Sequence, residues 1–245
     1  MISYVLVLVW SASAQSGFQN LYFERANPIN AGSREYTDAV TFASALPGWG
    51  ASIGGEPVTD VLLNGYTGGG ASIDLFGPGW NSVEPGIIDG NYTVYLQSGG
   101  SWPLSVGGNV SLYQTGMIPA GDHSLQFKAW NTPSIDSAFA VSFAGNNLSP
   151  VVLSSGQTAS GQTYNVYGAD ISPYAGETGE LEFTSIVTGA PSCTEFDDIT
   201  FSTTTVTPEP NTLALAVMGG LALAARRWRG KGCRSSKVEA EKLKC

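Results

Sequence analysis

The sequence predicts an all-β protein: an antiparallel β-sandwich followed by a single C-terminal hydrophobic helix. Two observations lead to this fold class. Up to residue 205 the chain consists of short alternating or β-branched runs separated by Gly, Ser, Asn and Pro, and no long stretch has helical periodicity. One uncharged apolar run, Leu213–Ala225, then follows. Strands at this spacing are typical of a sandwich or barrel, and an all-β region of this length commonly forms one domain.

Residues 1–14 have the composition of a signal peptide. An apolar core runs from Tyr4 to Trp10, and the small residues Ala12 and Ala14 predict cleavage after Ala14. No Lys or Arg precedes this core, so we expect the natural start to lie further upstream. The alternative is a first β-strand, which the cleavage-like site and the turn residues that follow it disfavour.

Nine runs predict the strands of the sandwich domain, which we assign to residues 15–205. They are Gln19–Glu24, Ala71–Phe76, Tyr92–Gln97, Val110–Thr115, His123–Trp130, Ala138–Phe143, Tyr164–Tyr167, Glu180–Val187 and Asp198–Thr203. Within His123–Trp130 the apolar Leu125, Phe127 and Ala129 should share one face, and the residues between them the other.

Charge is distributed very unevenly along the chain. Residues 15–207 contain three basic and seventeen acidic residues, a net charge of −14, whereas residues 226–245 have a net charge of +6. This split across an apolar run is the pattern of positive-inside membrane topology. The acidic domain argues against nucleic acid and anionic membrane surfaces as partners, and it is compatible with neutral glycans and calcium.

The region around the apolar run combines three features in one order. Pro208, Glu209 and Pro210 should form an extended, accessible segment, because proline fixes its own φ and disfavours helix in the residue before it. Leu213–Ala225 would span about 20 Å as a helix, which is short for a bilayer core. Interfacial residues can extend this reach, so we predict a transmembrane helix over 212–228; a buried core helix is the alternative. The basic residues that follow the run are Arg226, Arg227 and Arg229.

The tripeptide Pro208-Glu209-Pro210, the run LALAVMGGLALAA and the arginine cluster resemble a PEP-CTERM protein-sorting domain of Gram-negative bacteria. The resemblance, over residues 206–231, implies a substrate of an exosortase, a membrane enzyme that processes the segment during export. It implies an inner-membrane-anchored precursor and then a place at the cell surface or in the exopolysaccharide matrix. Such tails usually stop soon after the arginines, whereas residues 232–245 continue here as a polar segment that we expect to be cytoplasmic.

The domain itself has a second, weaker resemblance. The phrases FQNLYFE, ALPGW, NYTVYLQSG, IPAGDHSLQF and EFDDITF are similar to galactose-binding-like jelly rolls, which include many bacterial carbohydrate-binding modules. In that family, acidic residues of the first and last strands often lie beside a structural calcium ion. The resemblance makes Glu24, Asp197 and Asp198 candidate calcium ligands, and carboxylate oxygens suit this ion. Solvated carboxylates at strand ends are the alternative.

The composition offers little for catalysis. His123 is the only histidine and is predicted to be a surface imidazole, no GxSxG motif is present, and zinc would lack histidine ligands. Paired carboxylates could hydrolyse glycosides, but no pair stands out, so we predict no enzymatic activity. Cys193 is alone in the domain; we expect a buried side chain, with an intermolecular disulfide as the other option.

Three tryptophans are candidate ligand-binding residues. Trp49, Trp80 and Trp102 all lie beside Gly or Pro in predicted loops, where aromatic rings can stack on sugars. The alternative, which we favour, is that they anchor loops over the ends of the sandwich. The sequence therefore predicts an exported, non-catalytic surface or matrix protein associated with exopolysaccharide. A specific carbohydrate-binding module is the second hypothesis and a glycoside-active enzyme the third.

Overall fold

The computed structural model describes residues 17–33, 37–65, 67, 69–80, 86–100, 107–131, 138–188 and 191–206. These residues form fourteen strands, one turn of α-helix and one 3-10 turn. In chain order they are β1 (Ala39–Thr41), α1 (Phe42–Ala45), β2 (Gly50–Ile53), β3 (Glu56–Pro57), β4 (Asp60–Leu63), β5 (Ser72–Phe76), β6 (Thr93–Gln97), β7 (Val110–Met117), β8 (Ser124–Asn131), β9 (Ala138–Phe143), β10 (Asn146–Asn147), β11 (Val151–Gln157), β12 (Thr163–Asp170), a 3-10 turn (Ser172–Tyr174), β13 (Thr178–Ile186) and β14 (Cys193–Ser202).

The strands form two sheets, and the all-β sandwich predicted from the sequence is confirmed. One sheet has eight strands in the order β1-β4-β5-β6-β14-β8-β12-β11, and the other has six in the order β10-β9-β13-β7-β2-β3. All named strand pairs are antiparallel except β4 and β5, which run parallel. No helix among the described residues is long and apolar enough to cross a membrane, and the predicted helix 212–228 lies outside those residues.

The core lies between the two sheets and is rich in aromatic rings. Phe183 of β13 and Phe196 of β14 are stacked across the sheets, with ring centroids 4.6 Å apart. Phe23 packs edge-on against Phe196 at 5.7 Å, and Trp49 packs against Phe23 at the same distance. Stacked and edge-on aromatic pairs add to the stabilisation that burial of their large surfaces provides.

Strand β8 has the alternation that its sequence predicts. Leu125, Phe127 and Ala129 are all buried in the core. Gln126, Lys128 and Trp130 are half-buried on the opposite face. Strand β14 differs, because Cys193, Thr194, Glu195, Phe196 and Asp197 are all buried, so the outer face of the eight-stranded sheet is covered as well.

Two predicted strands differ from the structure. The segment Gln19–Glu24 is a turn, because Asn20 and Phe23 adopt φ of 52° and 56° and the Asn20 side chain accepts a hydrogen bond from the Arg25 N–H. This local pairing competes with sheet formation. The last strand begins at Cys193 rather than Asp198. Its first half is buried on both faces and therefore lacks the polar alternation by which a strand is predicted.

The aromatic contact between the sheets should dominate the stability of the domain. We expect Phe196→Ala to lower the free energy of unfolding by roughly 3–5 kcal/mol, because it removes a fully buried ring and leaves a cavity. Ile29→Ala is the matched control, since Ile29 is 58% exposed. Urea unfolding of both variants measures the difference; equal losses would contradict this view of the core.

Candidate functional site

Four carboxylates come together beside the bulge of strand β14, next to the loop that leads into β6. Glu24, Asp89, Asp197 and Asp198 line a cleft of about 210 Å³ together with Tyr22 and Gly90. We call it the acidic cleft. The three candidate calcium ligands predicted from the family resemblance are thus brought together, and Asp89 joins them from the loop before β6.

Glu24 is held against the loop before β6 by three hydrogen bonds. Its Oε1 accepts the backbone N–H groups of Asn91 at 2.7 Å and Tyr92 at 3.0 Å, and its Oε2 accepts the Asn91 side-chain amide at 2.8 Å. Gly90 has φ of 58°, and a Cβ at this position would collide with the Glu24 carboxylate. The loop therefore needs glycine at this position to bring its N–H groups to Glu24.

Asp197 is the buried member of the cleft. Its Oδ2 accepts the Thr93 hydroxyl at 2.8 Å and the Asp89 N–H at 3.3 Å, and its Oδ1 accepts the Asp198 N–H at 2.7 Å. Burial raises the pKa of Asp197 to about 8, although these hydrogen bonds oppose the shift. A β-bulge between Asp197 and Thr200 gives Asp198 a φ of 51°.

Lys128 forms ion pairs with two carboxylates of the cleft. Its Nζ lies 2.5 Å from Asp89 Oδ2 and 2.8 Å from Asp198 Oδ2. The hydrogen bond from Lys128 is the main reason that the pKa of Asp89 is lowered. Burial lowers the pKa of Lys128 itself, but the two carboxylates outweigh it, so the pKa is raised and the ammonium stays charged.

Over the described parts of the chain, no three or more His, Cys, Asp or Glu side chains form a group that could hold a metal ion.

Two buried carboxyl groups, with a tyrosine between them, lie on the covered outer face of the eight-stranded sheet. Asp74, Tyr95 and Glu195 are register neighbours on β5, β6 and β14, and all three are buried. Asp74 accepts the Ser72 hydroxyl at 2.7 Å through Oδ2. Among the described residues, Asp74 Oδ1 and Glu195 Oε1 have no hydrogen-bond partner.

Burial changes the ionisation of these two carboxyl groups. It raises the pKa of Asp74 to about 8, with Asp38 adding to the shift and the Ser72 hydrogen bond opposing it. It also raises the pKa of Glu195 well above its ordinary value, and the nearby charge of Asp197 adds to this. The sequence analysis predicted neither residue as a member of a site, although Glu195 is the first residue of the phrase EFDDITF. The alternation of β5 could have placed Asp74 opposite the core.

The tryptophans occupy different environments. Trp49 is 7% exposed, packs against Phe23 and donates its indole N–H to the Asn20 carbonyl at 3.1 Å. Trp80 is half-buried and is stacked on Phe76 with ring centroids 4.4 Å apart. Trp102 lies outside the described residues. Trp49 is thus packed inside the domain, whereas Trp80 has one ring face against Phe76 and is partly exposed.

Two further residues singled out from the sequence, His123 and Cys193, do not line the acidic cleft. His123 is half-buried just before β8, where its backbone N–H pairs with the Ser202 carbonyl, and within the described ranges its Nδ1 has no hydrogen-bond partner. Cys193 is buried, as predicted. The signal-cleavage residues Ala12 and Ala14 lie outside the described residues. So do the sorting residues Pro208, Glu209, Pro210, Arg226, Arg227 and Arg229.

Comparison with known proteins assigns the C-terminal region. Residues 206–229 match the family model described as the PEP-CTERM protein-sorting motif, so the chain carries this motif. The motif implies an exported protein of a Gram-negative bacterium that an exosortase processes and sorts to the cell surface. The predicted PEP-CTERM motif is thus confirmed. No curated protein matches the chain.

One solved structure with some similarity is the enzymatically active domain of tailspike protein 4 of bacteriophage CBA120. It is 13% identical, with a TM-score of 0.33, and the match covers 64% of this chain and 19% of that one. The chain thus spans about a fifth of the tailspike chain's length.

The buried carboxyl of Asp74 predicts a dependence of stability on pH. The pKa of Asp74 is about 8 in the folded protein, against 3.8 for an ordinary aspartate in the unfolded chain. Its protonated carboxyl group therefore contributes fully to the stability of the fold below pH 4, and this contribution is lost as the pH rises towards 8. The side chain of Asp74→Asn cannot ionise. Between pH 5 and 8 we therefore expect the free energy of unfolding of this variant to fall by roughly 3–4 kcal/mol less than that of the wild type. Asp60→Asn, at an exposed position of β4, is the control. Urea unfolding across this range measures the effect, and parallel curves for wild type and Asp74→Asn would refute it.

Proposed function

We propose that the sandwich domain is a non-catalytic structural component of the cell surface or extracellular matrix, delivered there by exosortase processing. The observation that carries the proposal is the position of the sorting motif: it begins at residue 206, four residues after β14 ends at Ser202. A domain directly followed by such a motif is the cargo that the motif delivers. In this proposal the apolar segment anchors the precursor in the inner membrane until processing.

Association with exopolysaccharide follows from location in this proposal rather than from a dedicated sugar site. Trp49 supports this view, because its ring is packed inside the domain and its N–H is satisfied by Asn20. A ring in this position anchors the loop after α1. The net charge of −14 over residues 15–207 would keep the released domain soluble within a matrix of neutral glycans.

The arrangement of the buried acids supports the absence of catalysis. Hydrolysis of glycosides needs one protonated and one ionised carboxyl group that face each other across a cleft. Asp74 and Glu195 lie instead on one sheet face with Tyr95 between them, and burial favours the protonated form of both. The acidic cleft does place a carboxyl with a raised pKa, Asp197, beside one with a lowered pKa, Asp89. There, however, Asp197 accepts three hydrogen bonds from the protein, and Asp89 is paired with Lys128. We therefore propose no reaction for this domain.

Delivery can be tested with variants of the sorting tripeptide. We expect Glu209→Ala to reduce the amount of protein in the surface fraction of the host several-fold and to leave unprocessed precursor in the membrane fraction, because Glu209 is the acidic residue of the processed segment. Glu180→Ala, an exposed acidic residue of β13, is the matched control and should fractionate like the wild type. Quantitative immunoblotting of both fractions measures this. Equal surface amounts for the two variants would contradict the proposal.

A specific carbohydrate-binding module is the second candidate function. The observation that favours it is Trp80, which is half-buried and follows the exposed Pro78 and Gly79. A glycan array and co-sedimentation with the host exopolysaccharide distinguish the candidates. The structural proposal predicts no array hits and equal co-sedimentation of wild type, Trp80→Ala and the control Tyr22→Ala, in which an exposed ring of the acidic cleft is removed. Binding that Trp80→Ala alone abolishes would establish the module instead.

A further inference from the structure

The acidic cleft is neutralised in part by a cation of the protein itself. Lys128 is the only lysine between residues 15 and 207, a region with seventeen acidic residues. Its Nζ lies within 2.8 Å of carboxylate oxygens of both Asp89 and Asp198, and it lies 5.6 Å from the centre of the Tyr164 ring. An aromatic face on the remaining side adds a favourable cation–π interaction.

The oxygens of the cleft do not fit a calcium ion well. Calcium takes about six to eight oxygen ligands, with lone pairs directed at the ion. Asp197 Oδ2 and Glu24 Oε1 each accept two hydrogen bonds, which uses both lone pairs of each oxygen. The second oxygen of each carboxylate accepts one more. Asp89 accepts the Gly90 N–H through one oxygen and the Lys128 ammonium through the other. A calcium ion bound through either doubly occupied oxygen would have to displace one of four donors, of which three are backbone N–H groups of the loop before β6.

Lys128 also joins two segments that the strand pairing alone leaves apart. Asp89 belongs to the loop before β6, whereas Asp198 lies at the bulge of β14. Lys128 is the register partner of Asp197 on the neighbouring strand β8, so its side chain starts from the same face of the sheet. The ammonium therefore ties the loop to the bulge, in addition to the hydrogen bonds that Thr93 and the Asp89 N–H donate to Asp197. A calcium ion between the same carboxylates would have this role.

We propose that Lys128 takes the place of a structural calcium ion in this domain, so that the sandwich folds and remains stable without a divalent cation. The proposal contradicts the expectation raised by the family resemblance, in which Glu24, Asp197 and Asp198 are calcium ligands. In this proposal the neutralising charge is the side chain of Lys128. The stability of the domain therefore does not depend on the calcium concentration outside the cell.

The direct test uses the wild-type full chain, purified in detergent. Its thermal midpoint should be the same in excess EDTA and in about 1 mM calcium, the weak end of the affinity range of extracellular calcium sites. Terbium luminescence sensitised by nearby aromatic rings, with Tyr22 in the cleft, should show no stoichiometric binding. A rise of the midpoint with calcium, or saturable terbium binding at one site, would overturn the proposal.

Variants test the role of the ammonium. Lys128→Met keeps the length of the side chain but removes the charge, and its midpoint in EDTA should fall by at least about 4 °C, since a partly buried pair of carboxylates loses its partner. Arg25→Met is the matched control. Arg25 is exposed, and within the described residues its guanidinium group forms a hydrogen bond only with Gln19. Equal effects of the two substitutions would refute a structural role for Lys128. The wild-type comparison decides the question of calcium even if Lys128→Met does not fold.

Discussion

The stacking of Phe183 on Phe196 is the contact on which the rest of the domain depends. Their ring centroids are 4.6 Å apart, yet the two residues belong to different sheets and to consecutive strands. Strand β13 lies between β9 and β7 in one sheet, and β14 lies between β6 and β8 in the other. The chain crosses from one layer to the other between them, so this aromatic pair fixes how the layers face each other.

The orientation of Phe196 determines where the acidic residues of β14 point. Because successive side chains of a strand alternate, an inward Phe196 sends Glu195 and Asp197 to the outer face. The bulge after Asp197 then restores Ile199 to the core and leaves Asp198 half-buried beside Lys128. Packing on one face of a strand thus sets up the electrostatics on the other, including the raised pKa values that burial produces at Glu195 and Asp197.

The sequence predicts the regular parts of this fold well and the irregular parts poorly. Alternation within His123–Trp130 predicted both faces of β8 correctly, since one face is core and the other is half-buried. Alternation is weak where both faces are covered, as in β14, and where a strand has only two to four residues, as in β1 to β4. The turn at residues 20–25 depends on side-chain hydrogen bonds of Asn20, for which hydrophobic patterning carries no signal.

Some residues of the acidic cleft were predicted from the sequence and others were not. The resemblance brought Glu24 together with Asp197 and Asp198, and the structure places all three in one cleft. Asp89 and Lys128 were not predicted as members, because their approach depends on the register of β8 with β14 and on the path of the loop before β6. A signal was present nonetheless: a single lysine in a domain of seventeen acidic residues is expected to lie where negative charge is concentrated.

The central claim is that a sorting segment delivers this acidic sandwich to the cell surface and is removed from it. Intact-mass spectrometry of the mature protein, isolated from the surface fraction of its host, tests this most directly because it reports both ends of the chain at once. The account predicts a chain that has lost the N-terminal signal peptide and ends at or near Pro208-Glu209-Pro210, without the apolar run and the arginine cluster. A surface protein whose C-terminus is still Cys245 would contradict it.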